Sequence, residues 1–362
     1  MKISNIEAIH IAVPYRYGGP LGNAARWRTM DTLIVKVETD AGITGWGEGF
    51  GLATCATTGV ALKNMVAPLA VGRDAGDIAG LMNDLQHKLH NCARNGPVGF
   101  ALSGLDIALW DIAGKVAGLP LYRMLGGEPI ERMLAYASLL RYGTSELVER
   151  NAAEAAARGY TRIKLHEITV PEVAIARKTI GPKIPLMIDT NCPWTPDEAV
   201  AMARRMAPYD PLWIEEPVWP PEDYRGLAKV KSEGGVAIAA GECAGTFADF
   251  TQLVDVAQVD YLQPSVTKIG GISEMQKVVA LAQSRGIKVA PHSPYFGPGL
   301  VASVHLCAAL PDKPPVERFY CDLEASPFGE LVNASGGYMR VPDGPGLGLV
   351  VDEAVIDRYR VN

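Results

Sequence analysis

Six short apolar runs rich in β-branched residues, each closing on a polar or ionisable side chain, recur through the second half of this 362-residue sequence at nearly constant spacing. They are Tyr160–His166, Ile184–Asp189, Leu212–Glu215, Val236–Glu242, Val259–Ser265 and Ile287–His292, and their last residues are separated by 23, 26, 27, 23 and 27 positions. An interval of that length holds one strand, one amphipathic helix and two short loops. The intervening stretches agree with this. Pro196–Ala207 follows a capping Thr195, and Ile272–Ser284 carries apolar residues at helical spacing before Gly286. Extending the period backwards predicts a strand at Met133–Leu140, and forwards one at about Pro315–Tyr320, making eight βα units. Eight parallel strands close into a barrel, so the expected class is α/β, a (β/α) barrel of modified TIM type.

Residues 1–125 follow another pattern. Lys2–Val13 and Thr32–Glu38 read as strands, Asp40-Ala41-Gly42 as a hairpin turn into Ile43–Glu48, and a helical region follows. The expected organisation is an α+β cap over 1–125, a catalytic barrel over 126–330, and a C-terminal segment over 331–362. The Gly- and Pro-rich stretch Pro342–Gly348 turns that segment back onto the cap.

Composition narrows the partners. The formal charge of −6 is spread along the chain, with no basic block to recruit nucleic acid or an anionic membrane surface. No apolar run reaches the length of a signal peptide core or a membrane span. The six cysteines show no C-x-x-C and no zinc-ligand spacing with histidine. A cytoplasmic protein acting on small molecules is expected.

In a barrel of this kind the C-terminal strand ends form the working face, so the residues that close the runs are candidates together. Asp189, Glu215 and Glu242 close three of them. Three carboxylates converging there without a cation would repel one another severely, and all-oxygen ligation suits a hard divalent ion, Mg²⁺ above all. Lys164 and His166, two apart on the preceding strand, point to the same side and face that metal site. Either could serve as a base. His292 closes the seventh run, across the barrel from both. The simpler alternatives are a helix cap for each acid, an ion pair for Lys164 and a packed strand-end role for each histidine.

The sequence resembles the enolase superfamily, within it the mandelate racemase and muconate lactonizing group, over nearly its whole length. The residues that carry the resemblance are Ser103–Asp111, Leu125-Gly126-Gly127, Met187–Asn191, Trp213–Pro217, Ala240-Gly241-Glu242, Lys268–Gly271 and Pro342–Gly346. The resemblance implies that a base removes the proton α to a carboxylate and that Mg²⁺, held by Asp189, Glu215 and Glu242, stabilises the resulting enediolate. It further implies cap loops near Tyr15–Arg28 and Gly49–Thr58 closing over the substrate, with Arg26, Trp27 and Arg28 available to anionic or hydroxylated groups. Asn191 and Glu317 become substrate contacts, and a homo-oligomer is expected.

Two positions depart from the family pattern. Lys164-Leu165-His166 stands where racemase-type relatives have Lys-x-Lys, so the base can be an imidazole. Ser265 stands where those relatives orient the seventh-strand histidine with an aspartate, so Ser265 becomes a site residue and His292 lacks a charged partner. A hydroxyl orients an imidazole but does not stabilise imidazolium as a carboxylate does, which favours a neutral His292. The expected activity is dehydration of a sugar acid or similar hydroxycarboxylate to a 2-keto-3-deoxy acid, His292 protonating the departing hydroxyl. A racemase, epimerase or cycloisomerase using the same intermediate is the second reading. A non-catalytic carboxylate-binding barrel and a metal-free Schiff-base aldolase centred on Lys164 are further ones.

Overall fold

A computed structural model of the chain describes residues 1–17 and 28–361. Three long antiparallel strands, β1 (Ile3–Tyr17), β2 (Thr29–Thr39) and β3 (Thr44–Gly49), open the chain, the last two joined by the turn at Gly42 (φ +75°). The helix Pro97–Ala117 lies against β3 and is buried nearly all round, because the cap sheet covers one side and the barrel the other. Such close stacking needs glycine. A Cβ on Gly47 would stand 1.9 Å from the Gly104 carbonyl oxygen.

Eight parallel strands follow: β4 (Arg132–Ser138), β5 (Ile163–Leu165), β6 (Leu186–Asp189), β7 (Pro211–Glu215), β8 (Ile238–Ala240), β9 (Tyr261–Leu262), β10 (Lys288–Val289) and β11 (Val316–Phe319). Parallel ladders run in order from β4 to β10, and β11 returns to pair with β4. Across the remaining seam, Ser293 Oγ donates to the Glu317 carbonyl at 3.0 Å and Ser293 N–H to Glu317 Oε2 at 3.0 Å. Tyr136, Met187, Trp213, Ala239 and Ala290 fill the barrel interior. A capping box starts the helix Pro196–Met206: the Thr195 side chain accepts from the Glu198 N–H while Glu198 reaches back to Thr195. Its Ala199, Val200, Ala203 and Met206 face the core.

The expectation of eight βα units needs one correction. Seven barrel helices are present among the described residues, and where an eighth would follow β11 there is only a short 3₁₀ turn, Gly329–Val332. Pro327 and Gly329 (φ +56°) interrupt the chain there, and β12 (Asp322–Leu323) pairs instead with Tyr15–Tyr17 of the cap. The chain then forms the hairpin β13 (Ala334–Ser335) and β14 (Tyr338–Arg340), which pairs antiparallel with β4. It ends on the cap: the helix Glu353–Tyr359 packs on β1, and Val361 N–H donates to the His10 carbonyl at 2.9 Å. No helix among the described residues is long and apolar enough to cross a membrane.

Polar side chains of the Ser103–Asp111 stretch tie the layers together. Ser103 Oγ accepts the Gly270 N–H at 2.8 Å, Asp106 accepts the Ser273 N–H at 3.0 Å, and Trp110 Nε1 donates to Ser273 Oγ at 3.0 Å. Asp111 accepts from Trp46 N–H (2.9 Å) and Leu347 N–H (2.8 Å) and pairs with Lys115 (2.7 Å), joining cap sheet, helix and C-terminal segment. Gly47→Ala should therefore lift the cap sheet off its helix and cost about 1–3 kcal/mol. An unchanged urea midpoint would refute that account.

Candidate metal centre and catalytic site

The parallel register puts Asp189 directly beside Glu215 at the ends of β6 and β7. Glu242 joins them from beyond β8, where the chain turns at Gly241 (φ +135°). A side chain at Gly241 would be strained by that φ and would meet Phe250 at 2.9 Å and the Gln263 backbone nitrogen at 3.0 Å. One carboxylate oxygen from each of Asp189, Glu215 and Glu242 lies within 4.8 Å of the others.

The outer oxygens are held by neutral donors. Asn191 donates to Asp189 Oδ1 through its backbone (3.1 Å) and its amide (2.8 Å), and Trp213 Nε1 donates to Glu215 Oε2 at 3.0 Å. Burial and the neighbouring Asp189 push the Glu215 carboxyl well above its usual range. Asp189 goes the other way, because Lys164 and His166 outweigh the cost of its burial. Carboxylates this close require added positive charge, either a proton on one of them or a divalent cation among them. The oxygen donors fit a hard cation, and this trio could hold one.

Lys164 is fully buried and makes three ion pairs, with Glu317 (2.7 Å), Glu215 (3.0 Å) and Asp189 (3.1 Å). Burial alone would lower its pKa, but those carboxylates outweigh it and hold the ammonium well above its ordinary value. His166, two residues on, is partly exposed. Its Nδ1 hydrogen-bonds the Leu139 carbonyl, and its Nε2 lies 3.1 Å from Asp189 Oδ2.

His292 approaches from the seventh strand. Its Nε2 is 2.9 Å from Glu242 Oε2, and its Nδ1 is 3.3 Å from both Ser265 Oγ and the Tyr295 hydroxyl, which also bond each other. The expectation that His292 lacks a charged partner is thus corrected: Nδ1 faces hydroxyls only, but Glu242 supplies a carboxylate at Nε2. That pairing, outweighing burial, draws the Glu242 carboxyl down to about 2.

The remaining predicted site residues fall into place unevenly. Glu317 is buried; its Oε1 takes Lys164 and Ser138 Oγ (2.8 Å), and its Oε2 takes the Ser293 N–H. Asn191 spends its amide on Asp189 and on Arg141 (3.1 Å). Arg28 is exposed, whereas Arg26 and Trp27 lie outside the described residues. Three further side chains packed at or near the site were not among the predicted residues: Tyr295, Glu216 and Glu48. Glu48, from β3, passes its carboxylate to the start of helix Pro298–Ala309, where Oε2 accepts the Gly299 N–H at 2.8 Å. Burial pushes its pKa up to about 8, against the pull of the Gly299 and Gly297 N–H groups.

A cap over a parallel barrel, with three carboxylates, a lysine and two histidines at the C-terminal mouth, is the layout of a barrel enzyme for small molecules whose carboxylates could hold a cation. Residues 6–126 match the N-terminal domain model of mandelate racemase/muconate lactonizing enzymes, and residues 147–355 match the enolase C-terminal domain-like model. A D-galactarolactone cycloisomerase of Agrobacterium fabrum is 31% identical over 100% of this chain and 99% of its own. An arabinonate dehydratase of Saccharolobus solfataricus is 30% identical over 91% of each chain. The structure of a Streptomyces coelicolor racemase with bound magnesium matches with a TM-score of 0.86 at 28% identity, over 99% of this chain and 100% of its own. The chain is a member of the enolase superfamily, in the mandelate racemase/muconate lactonizing group, and resembles its sugar-acid dehydratases.

Glu48 yields a pH prediction. Its carboxyl is near 4.5 when exposed and about 8 in the fold, so the folded state holds a proton that the unfolded chain releases. The stability contributed by the neutral form is complete below about pH 4.5 and is lost as pH rises to about 8. Wild-type protein should therefore lose stability relative to Glu48→Gln across that window. A thermal-midpoint difference that stays constant with pH would contradict this.

Proposed function

We propose that the enzyme dehydrates a sugar acid or related hydroxycarboxylate to a 2-keto-3-deoxy acid, with Mg²⁺ held by Asp189, Glu215 and Glu242. When bound, the cation opposes the second negative charge that loss of an α-proton places beside a carboxylate. The observation that carries this reading is the placement of His292. It lies three residues beyond the end of β10, which is three strands from β5 one way round the barrel and five the other, so it flanks the carboxylate layer opposite Lys164 and His166.

His166 is the base in this reading. Donation from Nδ1 to the Leu139 carbonyl leaves Nε2 as the nitrogen that gains and loses the proton, and the ring is reachable from the mouth. Lys164 stays an ammonium and lends positive charge to the carboxylate end of the substrate. The same three ion pairs argue against a Schiff-base mechanism, which needs a neutral amine. His292 delivers a proton from Nε2 to the oxygen leaving the β-carbon. The Ser265 and Tyr295 hydroxyls hold its ring in place.

The full-length similarity to a cycloisomerase favours a second reading, in which the group expelled is a ring oxygen. Proton removal and His292 have the same roles there, so the two differ in substrate. Screening open-chain acid sugars against their lactones and anhydro forms, with keto-acid detection, separates them.

Removing His292 tests the division of labour. His292→Asn should keep α-proton exchange with deuterated solvent while keto-acid formation falls by about 10²–10⁴-fold, the usual worth of a general acid. His166→Ala should lose exchange and product together. Keto-acid formation at the wild-type rate by His292→Asn would overturn the assignment. For the cation, Glu215→Gln should weaken Mg²⁺ binding in calorimetry and abolish turnover, and retained activity would remove Glu215 from the site.

A further inference from the structure

The loop that follows β4 is tied to the end of β5 in both directions. The Leu139 carbonyl accepts from His166 Nδ1, and the buried carboxylate of Glu167 accepts the Tyr142 N–H at 2.6 Å and the Gly143 N–H at 3.1 Å. Arg141 stands between those anchors. Its Nε donates to the His166 carbonyl at 2.5 Å, and its Nη2 donates to the Thr190 carbonyl at 2.9 Å and to Asn191 Oδ1 at 3.1 Å. The other end of the same amide, Asn191 Nδ2, donates to Asp189 Oδ1 at 2.8 Å. An amide has one accepting and one donating end, so a guanidinium at Oδ1 settles which end faces Asp189.

We propose that Arg141 is a positioning residue that sets His166 and Asp189 relative to each other, a role that rests on the reading of His166 as the base and Asp189 as a cation ligand. One guanidinium holds the backbone of the first and, through Asn191, the outer oxygen of the second. Asp189 Oδ1 is taken by the backbone and the amide of Asn191, at 3.1 and 2.8 Å. The carboxylate is thereby kept from rotating, and Oδ2 stays turned inward, 3.1 Å from both Lys164 Nζ and His166 Nε2. A planar fork makes these bonds from two nitrogens at once, whereas a lysine has one.

All three acceptors of Arg141 are uncharged, and its guanidinium is exposed, so water and salt screen its charge. Its loss therefore removes orientation more than field. Cutting an outer partner of a metal ligand lowers affinity by about 10–100-fold, and displacing a reacting group by about 1 Å costs about 10²-fold in rate.

Calorimetric titration of the full-length chain with Mg²⁺ is the first test. Arg141→Ala should weaken binding by about tenfold or more. Arg141→Lys keeps the charge but not the fork, so it should weaken binding to the same extent. Asn191→Ala cuts the same connection one step nearer the ligand, and adding Arg141→Ala to it should weaken binding no further. At saturating Mg²⁺, Arg141→Ala should lower kcat for α-proton exchange by about tenfold or more with KM unchanged. Wild-type affinity or wild-type kcat in Arg141→Ala, wild-type affinity in Arg141→Lys, or losses that multiply in the double variant would each overturn the proposal. A wild type that binds Mg²⁺ but exchanges no α-proton fails the proposed reaction, and the four affinities still decide the role of Arg141. A wild type that binds no Mg²⁺ removes Asp189 as a ligand and this role with it.

Discussion

The ammonium of Lys164 is the electrostatic pivot of the barrel mouth. A fully buried lysine is tolerable only with counter-charge, and three buried carboxylates, from β6, β7 and β11, are tolerable only with positive charge among them. Each side of the knot therefore depends on the other. It spans the barrel from the third strand round to the eighth, so it also fixes the strand ends relative to one another. That rigidity keeps Asp189, Glu215 and Glu242 within reach of a common ion.

The cap is wired into this arrangement through buried polar groups as well as apolar packing. Glu48 crosses from the cap sheet to the helix that follows β10, and Tyr295, on the loop between that strand and helix, touches His292. Asp106 and Ser103 bind the loop and helix after β9, close to Ser265. A shift of the cap is thus felt first at the sixth and seventh strands, where the proposed acid sits. Lys164 and His166, at the end of the second strand, are buttressed from within the barrel by Leu139, Glu317 and Asp189.

The barrel and its carboxylate layer were legible because parallel strands repeat. One strand, one helix and two loops impose a period, and the active face collects whatever residue ends each strand, so the spacing of Asp189, Glu215 and Glu242 announced both at once. What lay hidden has no period. The missing eighth helix is decided by Pro327 and Gly329 and by a two-residue strand paired with the cap. Tyr295 reaches His292 from a loop, and the Glu242–His292 contact joins two strand ends far apart in sequence. Glu216 directly follows Glu215, but its backbone φ of +40° turns it toward the Cys243 N–H, which no alternation rule foretells.

The departures at His166 and Ser265 acquire a common physical meaning in the structure. A carboxylate behind an imidazole holds a proton on Nδ1 and leaves Nε2 to act as a base. Hydroxyls can donate as readily as they accept, so Ser265 and Tyr295 leave the choice of tautomer to whatever faces Nε2. Facing Nε2 is Glu242, an acceptor, which favours a proton on that nitrogen. At the other side of the mouth the Leu139 carbonyl draws a proton to His166 Nδ1, and Asp189, another acceptor, faces its Nε2. The two imidazoles therefore differ at Nδ1 and not at Nε2: a carbonyl, which only accepts, fixes a proton on His166 Nδ1, whereas the hydroxyls leave His292 Nδ1 free to give or to take one.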